Sequence, residues 1–100
     1  MAAESPRGWT VYLLRCADGS LYAGITVDLA ARVETHNAGR GSRYTRSRLP
    51  VAVAWSKSQQ PGTDARRMER ALKKLSRADK LRLVDGDDAL WRRLRRSTLG

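Results

Sequence analysis

The sequence predicts an α+β fold, a small three-stranded antiparallel or mixed sheet flanked by helices. Three observations lead there. Two short β-rich runs, "WTVYLLRC" (9–16) and "LYAGITV" (21–27), stand either side of a tight-turn signal. A third, "VAVAW" (51–55), starts after Pro50. Around and beyond these runs, apolar residues recur at helical spacing instead of alternating. The order β, β, α, β, α, α, α then requires a sheet that buries a face against helices.

The first run is β-branched and aromatic, and Asp18-Gly19 reads as a two-residue hairpin turn. In the returning strand, alternation puts Tyr22, Gly24 and Thr26 on one face and Leu21, Ala23, Ile25 and Val27 on the other. Gly24 marks a bend, or a place where another group approaches the backbone. Asp28 is the N-cap of a helix from about Leu29 to Asn37 that ends near Gly39. Leu29 and Val33 face the core, with Ala30 and Asn37 as further candidates. Arg32 and His36, four apart, share a neighbouring face. Residues 38–49, "AGRGSRYTRSRL", read as a loop with four arginines and no acid.

After the third strand, "SKSQQPGT" (56–63) reads as another loop. A helix from near Thr63 or Asp64 to about Leu75 carries Ala65, Met68, Leu72 and Leu75 at core spacing. Ser76-x-x-Asp79 has the form of a capping box. It opens a helix with Ala78, Leu81 and Val84 apolar and a stop near Gly86. A last helix from about Asp88 sets Leu90, Trp91 and Leu94 against Arg92, Arg93, Arg95 and Arg96. The expected organisation is a flexible tail over 1–8 with Pro6 and Gly8 as breakers, one domain over 9–86, and a basic helix in 87–100 packed on that domain.

One hundred residues fit one domain, and 41% hydrophobic residues suffice for one modest core. Twenty Lys and Arg face ten Asp and Glu, a net charge of +10. That excess biases partners toward polyanions, nucleic acid first and an anionic membrane surface second. The single cysteine, Cys16, excludes an internal disulfide; with one histidine beside it, the chain has too few ligands for a structural zinc site. No apolar run approaches the ~20 residues of a membrane span, and "MAAESPRG" lacks the apolar stretch of a signal peptide. The expected setting is cytoplasmic, with no membrane partner.

Five residues stand out for chemistry: Tyr12, Tyr22, Arg32, His36 and Glu69. Each alone has an ordinary role: a sheet tyrosine, a solvated helix charge, a partner for a helix C-terminus, or, for Glu69, an i,i+4 partner of Lys73. Glu69 also borders the apolar face of its helix, where a carboxylate needs a partner. In combination they carry a resemblance. Thr10-Val11-Tyr12 and Tyr22-Ala23-Gly24, then Arg32, the His36-Asn37 pair and Glu69, resemble the GIY-YIG nuclease superfamily. More narrowly, "VYLLRCADGSLYAGIT", "RVETHNAGRGSRYTRSRLPV" and "MERALKKLSRADKLRLV" resemble its small single-domain bacterial members, over about residues 9–84.

The resemblance implies the GIY-YIG fold and a divalent-metal-dependent endonuclease that binds DNA and hydrolyses a phosphodiester bond in DNA repair or processing. It implies one Mg²⁺ or Mn²⁺ on Glu69. One carboxylate suffices there because magnesium keeps several waters and takes other ligands from phosphate. Arg32 would hold a non-bridging phosphate oxygen through its planar fork. Tyr22, with Tyr12 beside it, would position or deprotonate the attacking water, and His36 would share that task or contact phosphate. The base is left open among these three, and Gly24 serves as the glycine of the site. Arg40, Arg43, Tyr44, Arg46 and Arg48 of the loop, with Lys73 and Lys74, would contact DNA, and RNA is also an admissible target. The oligomeric expectation is a monomer or weak homodimer. A second reading keeps the fold as a nucleic-acid-binding module with little or no cleavage. The chain also departs from the pattern. Ile25 and Thr26 stand where some family nucleases carry a lysine, and Leu81 and its neighbours supply no asparagine beyond the glutamate. These absences bear on rate more than on chemistry.

Overall fold

The computed structural model describes residues 8–100. The expected tail over 1–8 therefore lies outside the described residues, apart from Gly8. Three strands, β1 (Trp9–Arg15), β2 (Leu21–Thr26) and β3 (Ala52–Gln60), form one fully antiparallel sheet in the order β2-β1-β3. Five helices accompany it among the described residues: α1 (Leu29–Asn37), α2 (Arg43–Arg46), α3 (Gly62–Lys74), α4 (Arg77–Val84) and α5 (Asp88–Leu99). The predicted α+β class and its flanked sheet are what the chain forms.

β1 sits in the middle because its sequence suits nothing else. Val11, Tyr12, Leu13 and Leu14 are all buried, a continuous run that an exposed sheet face could not accommodate. Val11 and Leu13 point into one layer with Ala23, Ala65, Met68, Leu72, Leu83, Leu90 and Trp91, so α3, α4 and α5 cover that face. Tyr12, Leu14 and Cys16 point the other way, into a smaller cluster with Val51 that Tyr22, Leu29, Val33 and Leu49 close. The sheet thus separates a large helical layer from a small one built on α1.

The expected two-residue turn is a three-residue one. Gly19 N–H donates to the Cys16 carbonyl (2.9 Å) and Cys16 N–H to the Ser20 carbonyl (2.9 Å), with Gly19 at φ +86°. That is a type I turn closed by a glycine bulge, which matches the strand twist. The Asp18 carboxylate accepts from Ser20 N (3.0 Å) and Ser20 Oγ (2.6 Å), which holds its pKa below the ordinary carboxylate value. α1 begins where Asp28 caps it, its carboxylate accepting from Ala31 N at 3.1 Å. At its other end Asn37 fastens it to the start of β3, accepting from Val51 N (2.7 Å) and donating to Val51 O (3.0 Å).

Several boundaries differ from the sequence reading. β3 does not stop at Trp55; it runs through Ser56–Gln60, which read as loop, because β1 offers register out to Trp9↔Gln60. Its polar residues belong to an edge strand with one wet side. The loop over 38–49 contains the single-turn helix α2, capped by Ser42 on Thr45 N at 3.1 Å. In α4 the buried residue is Leu83, whereas Ala78 is exposed. Only half of the expected capping box forms there. Ser76 Oγ accepts from Asp79 N at 3.1 Å, but the Asp79 carboxylate turns to Arg82 at 3.3 Å. In α1, Ala30 is exposed and the buried residue is His36.

Candidate nucleic-acid site

The small layer brings the predicted polar residues together. Tyr12 on β1 pairs across the sheet with Gly24 on β2, and its ring lies over that glycine. A Cβ at Gly24 would collide with the Tyr12 ring and hydroxyl, so the glycine is there for the close approach and not for an unusual φ. Tyr12 is fully buried. Tyr22, half-buried two residues earlier on β2, stands on the same face.

His36, one helical turn beyond Arg32, is fully buried behind Tyr22; their rings meet edge-on with centroids 5.5 Å apart. Its Nδ1 shares a 2.8 Å hydrogen bond with Thr45 Oγ1, while Nε2 is buried with no partner among the described residues. Thr45 Oγ1 also faces the Ser42 carbonyl at 3.3 Å. A Thr45 proton sent to that carbonyl leaves Nε2 a lone pair; a proton sent to Nδ1 leaves Nε2 the hydrogen. Burial first, and then the charge of Arg32, push the His36 pKa down, so the ring is neutral near pH 7. Gly41 crosses directly over this ring, and any Cβ there would enter it.

Arg32 is half-buried, with Nη2 3.5 Å from the Gly41 carbonyl and its charge next to the Tyr12 hydroxyl. Burial raises the Tyr12 pKa; the hydrogen bond and charge of Arg32 oppose the rise, and the Glu69 carboxylate adds to it. Tyr12 therefore stays protonated, with its oxygen accepting from Arg32. Glu69 belongs to α3 in the large layer, yet its charge is felt at Tyr12. Its carboxylate, about a quarter exposed, is 3.4 Å from Lys73 Nζ.

The loop completes the arrangement. Tyr44 stacks on Tyr22 (centroids 5.8 Å apart, rings 21° from parallel) and is 40% exposed. Arg48 holds it from behind: the guanidinium lies 3.9 Å over the Tyr44 ring, donates to the Tyr44 carbonyl at 2.8 Å, and pairs with Asp18 at 3.0 Å. Beside this stack Arg40, Arg43 and Arg46 line with Gly39, Gly41 and Ser42 an open polar cavity of about 290 Å³. Of the predicted contact residues, Arg48 is thus engaged within the protein. Lys73 stands beside Glu69, and Lys74 lies away from the site on α3.

A family described as the GIY-YIG catalytic domain matches residues 8–82. The chain belongs to the GIY-YIG family. Among similar proteins, the UPF0213 protein SH2523 of Staphylococcus haemolyticus is 40% identical over 75% of this chain and 92% of its own length. The UPF0213 protein DP2720 of Desulfotalea psychrophila is 42% identical over 80% of this chain and 74% of its own. Two solution structures share the fold. The UPF0213 protein BH0048 of Bacillus halodurans has TM-score 0.51 and 38% identity, over 78% of this chain and 83% of that one. The protein EF2693 of E. faecalis has TM-score 0.53 and 34% identity, over 80% and 83%. The GIY-YIG match ends inside α4, so α5 lies beyond it.

For the metal that GIY-YIG nucleases use, the donor set is one carboxylate. Among the described residues no three His, Cys, Asp or Glu side chains converge. A lone, partly exposed Glu69 does not fit an all-protein cage, but it fits magnesium bound largely through water and phosphate. Glu69 would hold such an ion, which would supply charge stabilisation to a phosphate and its leaving oxygen. Ser42, Thr45 and Gly41 were not evident from sequence as parts of this site. They lie in the segment read as a loop, where neither the Ser42 cap nor the contact of Thr45 with His36 has a periodic signal.

Proposed function

We propose that this GIY-YIG domain is a nucleic-acid-binding module that engages DNA through its small layer. One observation carries the reading: Tyr44, 40% exposed in a Tyr22–Tyr44–Arg48 stack, belongs to the same loop as the cavity formed by Arg40, Arg43 and Arg46. A part-exposed aromatic–guanidinium layer offers a base a stacking partner, and the adjoining arginines take phosphates by charge. Tyr44 is pre-ordered by Arg48 and Tyr22, so little side-chain freedom is lost on binding. The net charge of +10 supports a polyanion as the partner. Fluorescence anisotropy with labelled single-stranded and duplex DNA tests it. Tyr44→Ala should weaken binding by about 1–3 kcal/mol, the range of one base stack. An unchanged affinity in both Tyr44→Ala and the Arg40, Arg43, Arg46 triple alanine variant would end the proposal.

A second reading, hydrolysis of the bound strand, is favoured by the hydrogen bond of Arg32 to Tyr12 beside Tyr22, with the Glu69 charge felt at the same hydroxyl. In it Arg32 holds a non-bridging oxygen of the phosphate. Tyr12, buried beneath it, accepts from Arg32 and helps to hold the guanidinium in place. Tyr22, half-buried between Tyr12 and His36, positions the attacking water or takes its proton, with the neutral His36 ring behind it. Purified protein and Glu69→Ala are compared on plasmid, branched and single-stranded DNA with and without Mg²⁺ or Mn²⁺. More nicking by wild type than by the variant establishes the nuclease; equal products leave the binding module.

A further inference from the structure

Much of the positive charge lies away from this site. Lys73 and Lys74 are neighbours in sequence, but a helix turns about 100° per residue, so they face different ways. Lys73 meets Glu69; Lys74, roughly 140° around α3 from Glu69, belongs with Arg67 and Arg70. Arg67, Arg70 and Lys74 recur at i, i+3 and i+7 on the outward side of α3. All three are exposed, and none forms an ion pair among the described residues. With Leu94 and Thr98 of α5 they border a groove of about 450 Å³. The stripe runs about 10 Å along the helix at about 1.5 Å per residue, about three base-pair rises of one DNA strand. α3 and α5 lie in the large layer, and the sheet separates them from the cluster of Tyr12, Tyr22 and α1 to which the arginine loop is joined.

We infer that the groove between α3 and α5 is a second phosphate-backbone site, which lets one copy of the chain hold two segments of nucleic acid at once. The inference rests on the nucleic-acid reading of the first site and extends it. An acidic peptide is the other occupant to consider, but such a groove would need an open apolar anchor point. Ala71, Leu75 and Leu94 on its floor are partly buried, Leu75 and Leu94 by packing on the core, and the exposed large apolar side chains among the described residues, Val27, Tyr44 and Val53, lie off this groove. A rim of guanidinium and ammonium groups over a shallow floor suits a phosphate backbone, which is read by charge and not by pockets.

A bridging assay tests it: a biotinylated duplex on beads, a fluorescent duplex in solution, and the full chain between them. Wild type should retain the fluorescent duplex on the beads. Arg67→Ala/Arg70→Ala/Lys74→Ala should lower that retention at least about tenfold while still binding a single duplex, since three phosphates left without a cation weaken binding at least that much. Alanine is favourable at exposed helix positions, so the fold is kept, as circular dichroism will record. The Arg40, Arg43, Arg46 triple alanine variant should also fail to bridge, yet retain one duplex through the α3–α5 groove. Bridging by the α3 variant equal to wild type would overturn the inference, as would bridging that follows a dimer seen by light scattering and survives the α3 change. Retention of a poly-glutamate peptide by the α3 stripe, with no second duplex, would assign the groove to an acidic protein and overturn it too. Failure of wild type to bind any duplex would instead remove the reading beneath it, and this inference with it.

Discussion

His36 is the chain's single histidine, and the fold uses it neutral. Its pKa is pushed below the ordinary value by burial and by Arg32, so the unfolded chain takes up the proton first as pH falls. The stability this residue contributes is therefore full above about pH 6.5, the unfolded value, and is lost as pH falls through the lower folded value. Thermal melts of wild type and His36→Gln across that window should converge on acidification; a constant difference would show that the ring does not titrate against the fold. Part of this scale is readable from sequence. Tyr22 and Gly24 can be assigned to one face because a strand has period two, but a two-residue turn would set Tyr12 opposite Ile25, and only the glycine bulge brings it across from Gly24. The burial of His36 cannot be read this way, because it depends on Gly41 and Thr45 folding over it from a loop whose path has no period.

Elements are legible where periodicity and capping agree. Asp28, Ser76 and Asp87 each cap the helix that follows, and α1 has the span its cap and closing residues imply. They are illegible where a neighbour decides. β3 gains its polar C-terminal half from pairing with β1, since "SKSQQ" has no apolar alternation of its own. The joint between α1 and β3 is similarly a tertiary fact. Asn37 satisfies both the N–H and the C=O of Val51, at the point where β3 leaves the arginine loop. Asn37→Ala leaves two part-buried backbone groups to find water and should cost about 2 kcal/mol in urea denaturation. Asn37→Asp, which keeps an acceptor for Val51 N–H and loses the donor, should fall between. A cost no greater than that of a surface alanine would show that the joint closes without the side chain.

At the scale of the whole molecule, charge is the property the composition declares and the fold distributes. Composition alone points to a polyanion partner, but only the layering shows basic groups on both sides of the sheet. Removal of Arg40, Arg43 and Arg46 should lower the slope of log affinity against log salt by about 0.9 for each phosphate no longer neutralised on duplex DNA. An unchanged slope in a salt series would remove those residues from the footprint. No helix among the described residues is long and apolar enough to cross a membrane. The hairpin tip adds a last consequence. Asp18 takes Arg48 by its side chain and Gly19 takes Arg77 by its carbonyl (2.8 Å), so arginines from both layers converge on one turn. The Asp18 carboxylate presents to Arg48 what a phosphate would present, so on the nucleic-acid reading it would compete with an incoming strand. Asp18→Asn should then weaken that competition and tighten DNA binding by a few-fold in a titration at low salt. The resting protein would then be keeping one of its grips closed on itself until a stronger anion arrives.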